Sequence, residues 1–239
     1  MKLLQAFALA WNMLTIIPFL QVHNFYKGIN ALSVMFYPVV GFFLGLFLYG
    51  LSLVLEPLFP HMFLHVGIFF LLVVLTGALH LDGLSDTIDG LFVPKQKALQ
   101  VMKDSHVGGM GMIFSSAFLI FKAVGFATLE SLYLLPLLLA LSRMGAVVAI
   151  YNFPYISSGV GMLIQEEMKK LHVNGVLFFG FVLSLYYGVV WAFIAVILYV
   201  LIVSQMFRRR YGGLSGDIYG FLVETSELLL IVMCIAAGL

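Results

Sequence analysis

Three aspartates fall within eight positions of the stretch HLDGLSDTIDG, residues 80–90. Asp82, Asp86 and Asp89 stand at i, i+4 and i+7, which places them within about 60° of one helical face. Three carboxylates on one face repel, and nothing near them in sequence supplies three compensating cations. The apolar run before them makes the problem sharper, because an unpaired carboxylate near mid-membrane costs roughly 2.5–3.5 kcal/mol. A divalent cation at a membrane boundary resolves it, and all-oxygen ligands favour Mg²⁺, Mn²⁺ or Ca²⁺ over Zn²⁺. The plainer alternative is a polar helix end that only stops a span. One aspartate would fit that better than three on a face. Gly77, Gly83 and Gly90 leave room there for close approach by another group.

A second acidic set lies in GGLSGDIYGFLVETSEL, residues 212–228. Asp217, Glu224 and Glu227 at i, i+7 and i+10 span about 80° of a helical face. Acids at the start of an apolar segment are functional candidates by default. Gly212, Gly213, Gly216 and Gly220 precede or interleave them, suited to backbone approach to a phosphate or to ordinary helix packing. Between the two sets runs MKDSHVGGMGM, residues 102–112, where Lys103, Asp104, Ser105 and His106 lead into Gly108, Gly109 and Gly111. Backbone donors at a helix start suit an anion. Arg143, beside Ser142 in an apolar run, needs an anionic partner, either one of these carboxylates or a substrate phosphate. Carboxylates for a metal, donors for phosphates and flanking cations are the equipment of phosphoryl transfer.

The elements that must hold these residues belong to a membrane. Of 239 residues, 63% are hydrophobic and 10% charged, against roughly 25% charged in soluble domains. The formal net charge of +1 provides no field to attract nucleic acid. One cysteine, Cys234, excludes an internal disulfide and a cysteine-built metal site. A span needs roughly 20 mostly apolar residues. That criterion selects 33–55, 61–80, 109–128, 131–152, 173–189, 190–207 and 219–238, with a turn at Tyr186, Tyr187 and Gly188 dividing the longest run. Trp11, Asn12 and Pro18 interrupt the apolar stretch of the first 21 residues, which are read as a retained helix lying in the interface. The expectation is therefore all-α: a polytopic membrane helix bundle of 6–7 transmembrane helices plus an N-terminal apolar helix, one domain over 1–239.

Charge sets the orientation. Lys95, Lys97 and Lys103, then Lys169 and Lys170, then Arg208, Arg209 and Arg210 are separated by even numbers of spans and hold eight of the twelve basic residues. The positive-inside rule puts that face, and the acidic sets with it, in the cytoplasm. His61 and His65 sit on the other face with no third ligand and read as packing residues, and Gly41 with Gly45 reads as a helix-packing face.

TGALHLDGLSDTIDGL (76–91), MKDSHVGGMG (102–111) and GGLSGDIYGFLVETSE (212–227), in that order, resemble the cobalamin synthase family, also called adenosylcobinamide-GDP ribazoletransferases. YPVVGFFLG (37–45) and LTIIP (14–18) match weaker features, so the resemblance covers nearly the whole chain. It implies a multi-pass protein of the bacterial inner membrane that carries out the last assembly step of adenosylcobalamin. Adenosylcobinamide-GDP and α-ribazole, or its 5′-phosphate, are joined, GMP leaves, and Mg²⁺ is required. Asp82, Asp86 and Asp89 would then hold Mg²⁺ against the diphosphate. Asp217, Glu224 and Glu227 would hold a second metal or orient the ribazole, and His80 or a carboxylate would take the hydroxyl proton. Lys103 and Arg143 would neutralise phosphate charge, with Asp104, Ser105, Gly108, Gly111, Gly213 and Gly216 around the substrate. The lipid bilayer is the surrounding partner. Association with other cobalamin-pathway enzymes and oligomer formation are compatible with the family. Two positions depart from it: Ile16 and Ile17 stand where an Arg is frequent, and Ile156 leaves YISSGVG without its usual basic residue. A CDP-alcohol phosphotransferase would show Ala-Arg after the first Asp-Gly, where this chain has Leu84 and Ser85. A cation transporter would place its acids near the midplane of repeated halves.

Overall fold

Each of the seven predicted spans falls on helix, although the one expected over 61–80 is broken. The computed structural model describes residues 1–22, 25–104 and 106–239, and among these the regular structure is helical apart from one parallel bridge between Tyr155 and Leu214. In chain order the helices are α1 (Lys2–Leu14), α2 (Ile29–Val34), α3 (Tyr37–Leu55), α4 (His61–Leu75), α5 (Leu79–Leu91), α6 (Lys95–Met102), α7 (Gly109–Thr128), α8 (Leu135–Asn152), α9 (Val160–Glu167), α10 (Lys170–Tyr186), α11 (Val190–Tyr211) and α12 (Gly216–Ala236). The α2–α3 run, α7, α8, α11 and α12 are each long and apolar enough to cross a membrane. The α4–α5 and α9–α10 pairs, bent by 83° and 95°, raise the number from five to seven if each is one span. This is a multi-pass membrane protein. His23 and Ser105 lie outside the described residues.

α8 is the central post. Every residue over 135–150 is buried, as an evenly apolar helix must be when other helices surround it. α3, α10, α11 and α12 pack against it. Gly41 and Gly45 make the α3 approach possible: a Cβ at Gly45 would lie 2.5 Å from the Pro136 Cα, and one at Gly41 would meet the Leu139 carbonyl. The expected packing face is thus used, and it is used on the central helix. The turn predicted near Gly188 is present, with Gly188 at φ 73° between α10 and α11.

α1 has 13 residues, about 20 Å of helix against a hydrocarbon core of about 30 Å. It docks on α2 and α3 instead, with Phe7 edge-on to Phe36 at 5.7 Å. Trp11 Nε1 donates to the Ile17 carbonyl at 3.1 Å and ties the following segment back.

The span expected over 61–80 stops at Leu75. Gly77 (φ 60°) and Ala78 (φ 55°) take left-handed backbone, and the chain leaves them turned by 83° into α5. α5 then crosses the start of α12. A Cβ on Gly83 would stand 2.8 Å from the Asp217 carbonyl oxygen, and one on Gly220 3.0 Å from that of His80. The room that glycines leave along α5 is therefore filled by protein: α12 backbone at Gly83, Met102 at Gly90 and Ile16 at Gly77. Elsewhere Glu167 reaches the start of α2, accepting from Gly28 N at 2.8 Å and Asn30 N at 3.2 Å. That supplies an anion where α2 has unpaired donors.

Candidate active site

α5, α8, α9 and α12, with the end of α1 and the start of α3, line a cavity of about 290 Å³. Its wall is mostly apolar, with Leu14, Ile150, Val160, Ile164 and Val223 among its residues. The polar groups that border it include Tyr37, His80, Asp82, Arg143, Tyr155, Asp217 and Tyr219. Tyr155 and Tyr219 stack with ring centroids 6.1 Å apart. The bridge that holds Tyr155 there is made of two backbone bonds: Ile156 N donates to the Leu214 carbonyl at 2.9 Å, and Leu214 N to the Pro154 carbonyl at 2.8 Å.

Asp82 stands in the first turn of α5 and Asp217 in the first turn of α12. The Gly83–Gly220 crossing brings these two helix starts together. Both ends carry the positive pole of a helix dipole, which favours carboxylates and anionic ligands there. Asp86, one turn further along α5, lies within electrostatic range of Asp82, Asp217 and Asp89. Asp82 is exposed, and Asp86 and Asp217 are partly so. Ser215 shapes the α12 end: its hydroxyl accepts from Ile218 N at 3.4 Å and donates to Asp217 Oδ2 at 3.2 Å. Among the described residues none of the three carboxylates forms an ion pair with a protein cation.

Asp89 belongs to a different arrangement. It is buried, its Oδ2 accepts from Gly108 N at 2.7 Å and its Oδ1 from Gly111 N at 2.7 Å. It is the anion at the start of α7, satisfying donors that helix geometry leaves free. A Cβ on Gly108 or Gly111 would collide with that carboxylate. The glycine-rich loop therefore does present backbone donors to an anion, and the anion is the chain's own Asp89. Asp104 and Lys103 are exposed, and Lys103 lies in electrostatic range of Asp217. Asp104 accepts from both N and Nδ1 of His106, at 3.0 and 2.8 Å, and the His106 hydrogen bond pulls its carboxyl below the usual range.

Glu224 and Glu227 are not with the aspartates. Lys122 of α7 donates to Glu224 Oε2 at 2.6 Å and to Glu227 Oε2 at 2.5 Å. Arg143 of α8 pairs with Glu227 Oε1 and donates to Ser142 Oγ at 2.9 Å. All four charged side chains are buried. Two cations and two anions balance, which is the condition for keeping any of them ionised away from water. Arg143 thus finds the carboxylate partner the sequence demanded, and still borders the cavity.

The structure brings Asp82, Asp86, Asp217, His80, Arg143 and Gly216 to one place and sets Asp89, Gly108, Gly111, Gly213, Glu224 and Glu227 apart from it. Asp89 caps α7. Glu224 and Glu227 hold cations, which sets them apart from their expected metal role: Glu224 Oε2 and both oxygens of Glu227 are taken by ammonium and guanidinium donors. Gly213 backs onto the Pro154 carbonyl, where a Cβ would clash, so it serves the bridge rather than the cavity. His80 is buried and its Nδ1 has no partner. Lys122 was missed, although a lone lysine inside the 109–128 apolar run was a visible signal. His61 and His65 pack as expected, on the carbonyls of Glu130 and Phe126 at 3.3 and 3.1 Å.

A family model described as cobalamin-5-phosphate synthase matches residues 6–235. An adenosylcobinamide-GDP ribazoletransferase of Desulfitobacterium hafniense is 32% identical, over 94% of this chain and 94% of its own. Proteins of the same name from Thermosynechococcus vestitus and Syntrophobacter fumaroxidans are each 34% identical, covering 82% and 94% of this chain and 82% and 96% of their own. No solved structure matches the chain.

Proposed function

The chain belongs to the cobalamin-5-phosphate synthase family, and from that membership we propose how its cavity serves the family's reaction. The chain is a transferase of the last step of cobalamin synthesis. It passes the adenosylcobinamide phosphate group from adenosylcobinamide-GDP to α-ribazole or its 5′-phosphate, releasing GMP. One P–O bond forms to the acceptor hydroxyl, the P–O–P bridge breaks, and the hydroxyl proton must go to a base.

Mg²⁺ fits Asp82, Asp86 and Asp217. They offer oxygen only, reach solvent, and form no ion pair with a protein cation among the described residues; one lysine, Lys103, lies in electrostatic range of Asp217 against three carboxylates. The described residues include no group of three His, Cys, Asp or Glu side chains that closes around one ion. Mg²⁺ does not require such a group, since it is usually held by one or two carboxylates together with substrate phosphates and water. When bound, it neutralises charge on the diphosphate and polarises the reacting phosphorus. Arg143 donates to phosphate oxygens from the inner wall. His80, which borders the cavity and whose buried Nδ1 has no protein partner, is the residue to which the acceptor's proton is assigned. The apolar wall holds the ribazole base and keeps water from the phosphorus. The basic residues at the ends of α6, α10 and α11 support a cytoplasmic site in the bacterial inner membrane.

The observation that carries this reading is the set of three carboxylates without an ion-pair partner at two converging helix starts, beside a cavity with an arginine in its wall. The test is GMP release by the purified protein in liposomes with adenosylcobinamide-GDP, α-ribazole and Mg²⁺. Ribazole-dependent GMP with a cobalamin product, abolished by chelation and by Asp82→Asn, is the expected result. No GMP from folded wild-type protein, with ribazole or its phosphate, would sink the reading.

A further inference from the structure

We infer that Glu227 is a positioning residue that fixes the Arg143 guanidinium at the cavity wall, and that Lys122 sets the orientation of the Glu227 carboxylate. The inference rests on the assignment of Arg143 to phosphate made above, and on geometry that the assignment does not use.

Glu227 divides its two oxygens. Oε2 meets Lys122 Nζ, and Oε1 meets Arg143 Nη1 with Ser142 Oγ at 3.3 Å. Every hydrogen bond from Arg143 to the described residues leaves from Nη1, which also reaches Ser142 Oγ and the Leu139 carbonyl at 3.4 Å. Nε and Nη2 make none, so the guanidinium borders the cavity with three N–H donors unspent. Guanidinium recognition of a phosphate is bidentate, and its strength depends on where the planar fork is held. Gripped by one nitrogen alone, that fork can swing. What stops it is the direction of Glu227 Oε1, and that direction is set by whatever holds Oε2. Lys122 is the only side chain among the described residues that does so.

Lys122 also explains Glu224. A lysine shared with Glu227 and Arg143 alone would leave a buried excess of one positive charge. Glu224, bound to the same Nζ at 2.6 Å, removes it. Lys122 and Glu224 therefore form a neutral unit whose work is done on Glu227, two steps from the substrate. Neither residue borders the cavity.

The charge-balanced double variant Lys122→Met/Glu224→Gln isolates this claim, because it deletes one cation and one anion together and leaves the Glu227–Arg143 pair neutral. Binding of inorganic pyrophosphate to the detergent-solubilised full chain is measured alongside GMP formation, and thermal unfolding establishes the folded fraction. A folded double variant that binds pyrophosphate about tenfold more weakly is expected, approaching Arg143→Gln, with Lys122→Arg restoring most of the affinity. GMP formation should fall with it. A folded double variant with wild-type affinity and turnover overturns the inference and reduces the four charges to a structural cluster. So does a wild-type protein that binds no pyrophosphate, or binds it independently of Arg143. Wild-type protein that binds pyrophosphate through Arg143 and makes no GMP overturns the reaction instead, while the double variant's affinity still decides the positioning role. Should the double variant not fold, Glu227→Gln takes its place, with lost pyrophosphate affinity in folded protein expected and unchanged affinity decisive against.

Discussion

Asp217 and Glu224 lie about two turns apart on α12 and live in opposite electrostatic surroundings. Asp217 joins Asp82 and Asp86 in a cluster that reaches solvent and forms no ion pair among the described residues, with Lys103 alone in electrostatic range of Asp217. Glu224 joins Glu227 in a buried cluster balanced by Lys122 and Arg143. The helix is the same and so is the residue class. The neighbours decide: α5 brings more acid to the first turn of α12, whereas α7 and α8 bring one cation each to the turns below. An acidic cluster left uncompensated by its own chain is a place for an external cation. One compensated internally is a fixture of the bundle.

The largest expected effect strikes the open cluster. Asp82→Asn removes a ligand from an exposed first-turn position, and activity should fall by roughly 10²–10³-fold. Thermal stability should hardly move, because the side chain is exposed and supports no packing. A large loss of melting temperature would show that the open cluster also holds the fold and would erase the contrast.

Lys122→Met makes the opposite trade. It strands two buried carboxylates with one cation, and breaking a buried pair costs about 3–5 kcal/mol. The melting temperature in detergent should drop strongly and be largely restored by adding Glu224→Gln. Failure of the second change to restore it would mean that charge balance does not govern this cluster.

These two clusters also mark what could be read from the sequence. The seven apolar runs were legible because a span of about 20 residues leaves a composition signal that no neighbour is needed to interpret. The helical face shared by Asp82, Asp86 and Asp89 was legible from spacing, and α5 is a helix there. Partners were not. Asp217 spaces equally well with Glu224 and Glu227 on its own helix, and only the Gly83–Gly220 crossing hands it to Asp82. Asp89 shares a face with Asp82 and Asp86, yet the backbone of Gly108 and Gly111 claims it. Periodicity reports which side a residue takes; it carries no record of what waits on that side.

Gly83→Ala tests that crossing. Its Cβ would stand 2.8 Å from the Asp217 carbonyl oxygen and 3.0 Å from the Asp217 Cα, both backbone atoms of a packed helix. Overpacking of this kind costs about 1–3 kcal/mol, and parting the helix starts should lower activity about tenfold through Asp217. Wild-type turnover with normal Mg²⁺ dependence would show that Asp217 need not stand beside Asp82.

The smallest effect tests where the open cluster ends. Asp104 is acidic, near Lys103, and lies in a segment matched to the family, so it was a reasonable substrate contact by sequence. In the fold it is exposed and bound to its own His106 through two hydrogen bonds. Those bonds hold its carboxyl below the usual carboxylate range. Whatever the turn gains from the ionised form is therefore present above the unfolded value and lost as pH falls through the lower folded value. Across the neutral range Asp104 is simply charged and should contribute no titration. Asp104→Asn should stay within about twofold of wild-type turnover, with a superimposable pH profile. A profile that shifts in the neutral range, or a loss approaching that of Asp82→Asn, would extend the uncompensated cluster across the α6–α7 loop and place Asp104 at the metal after all.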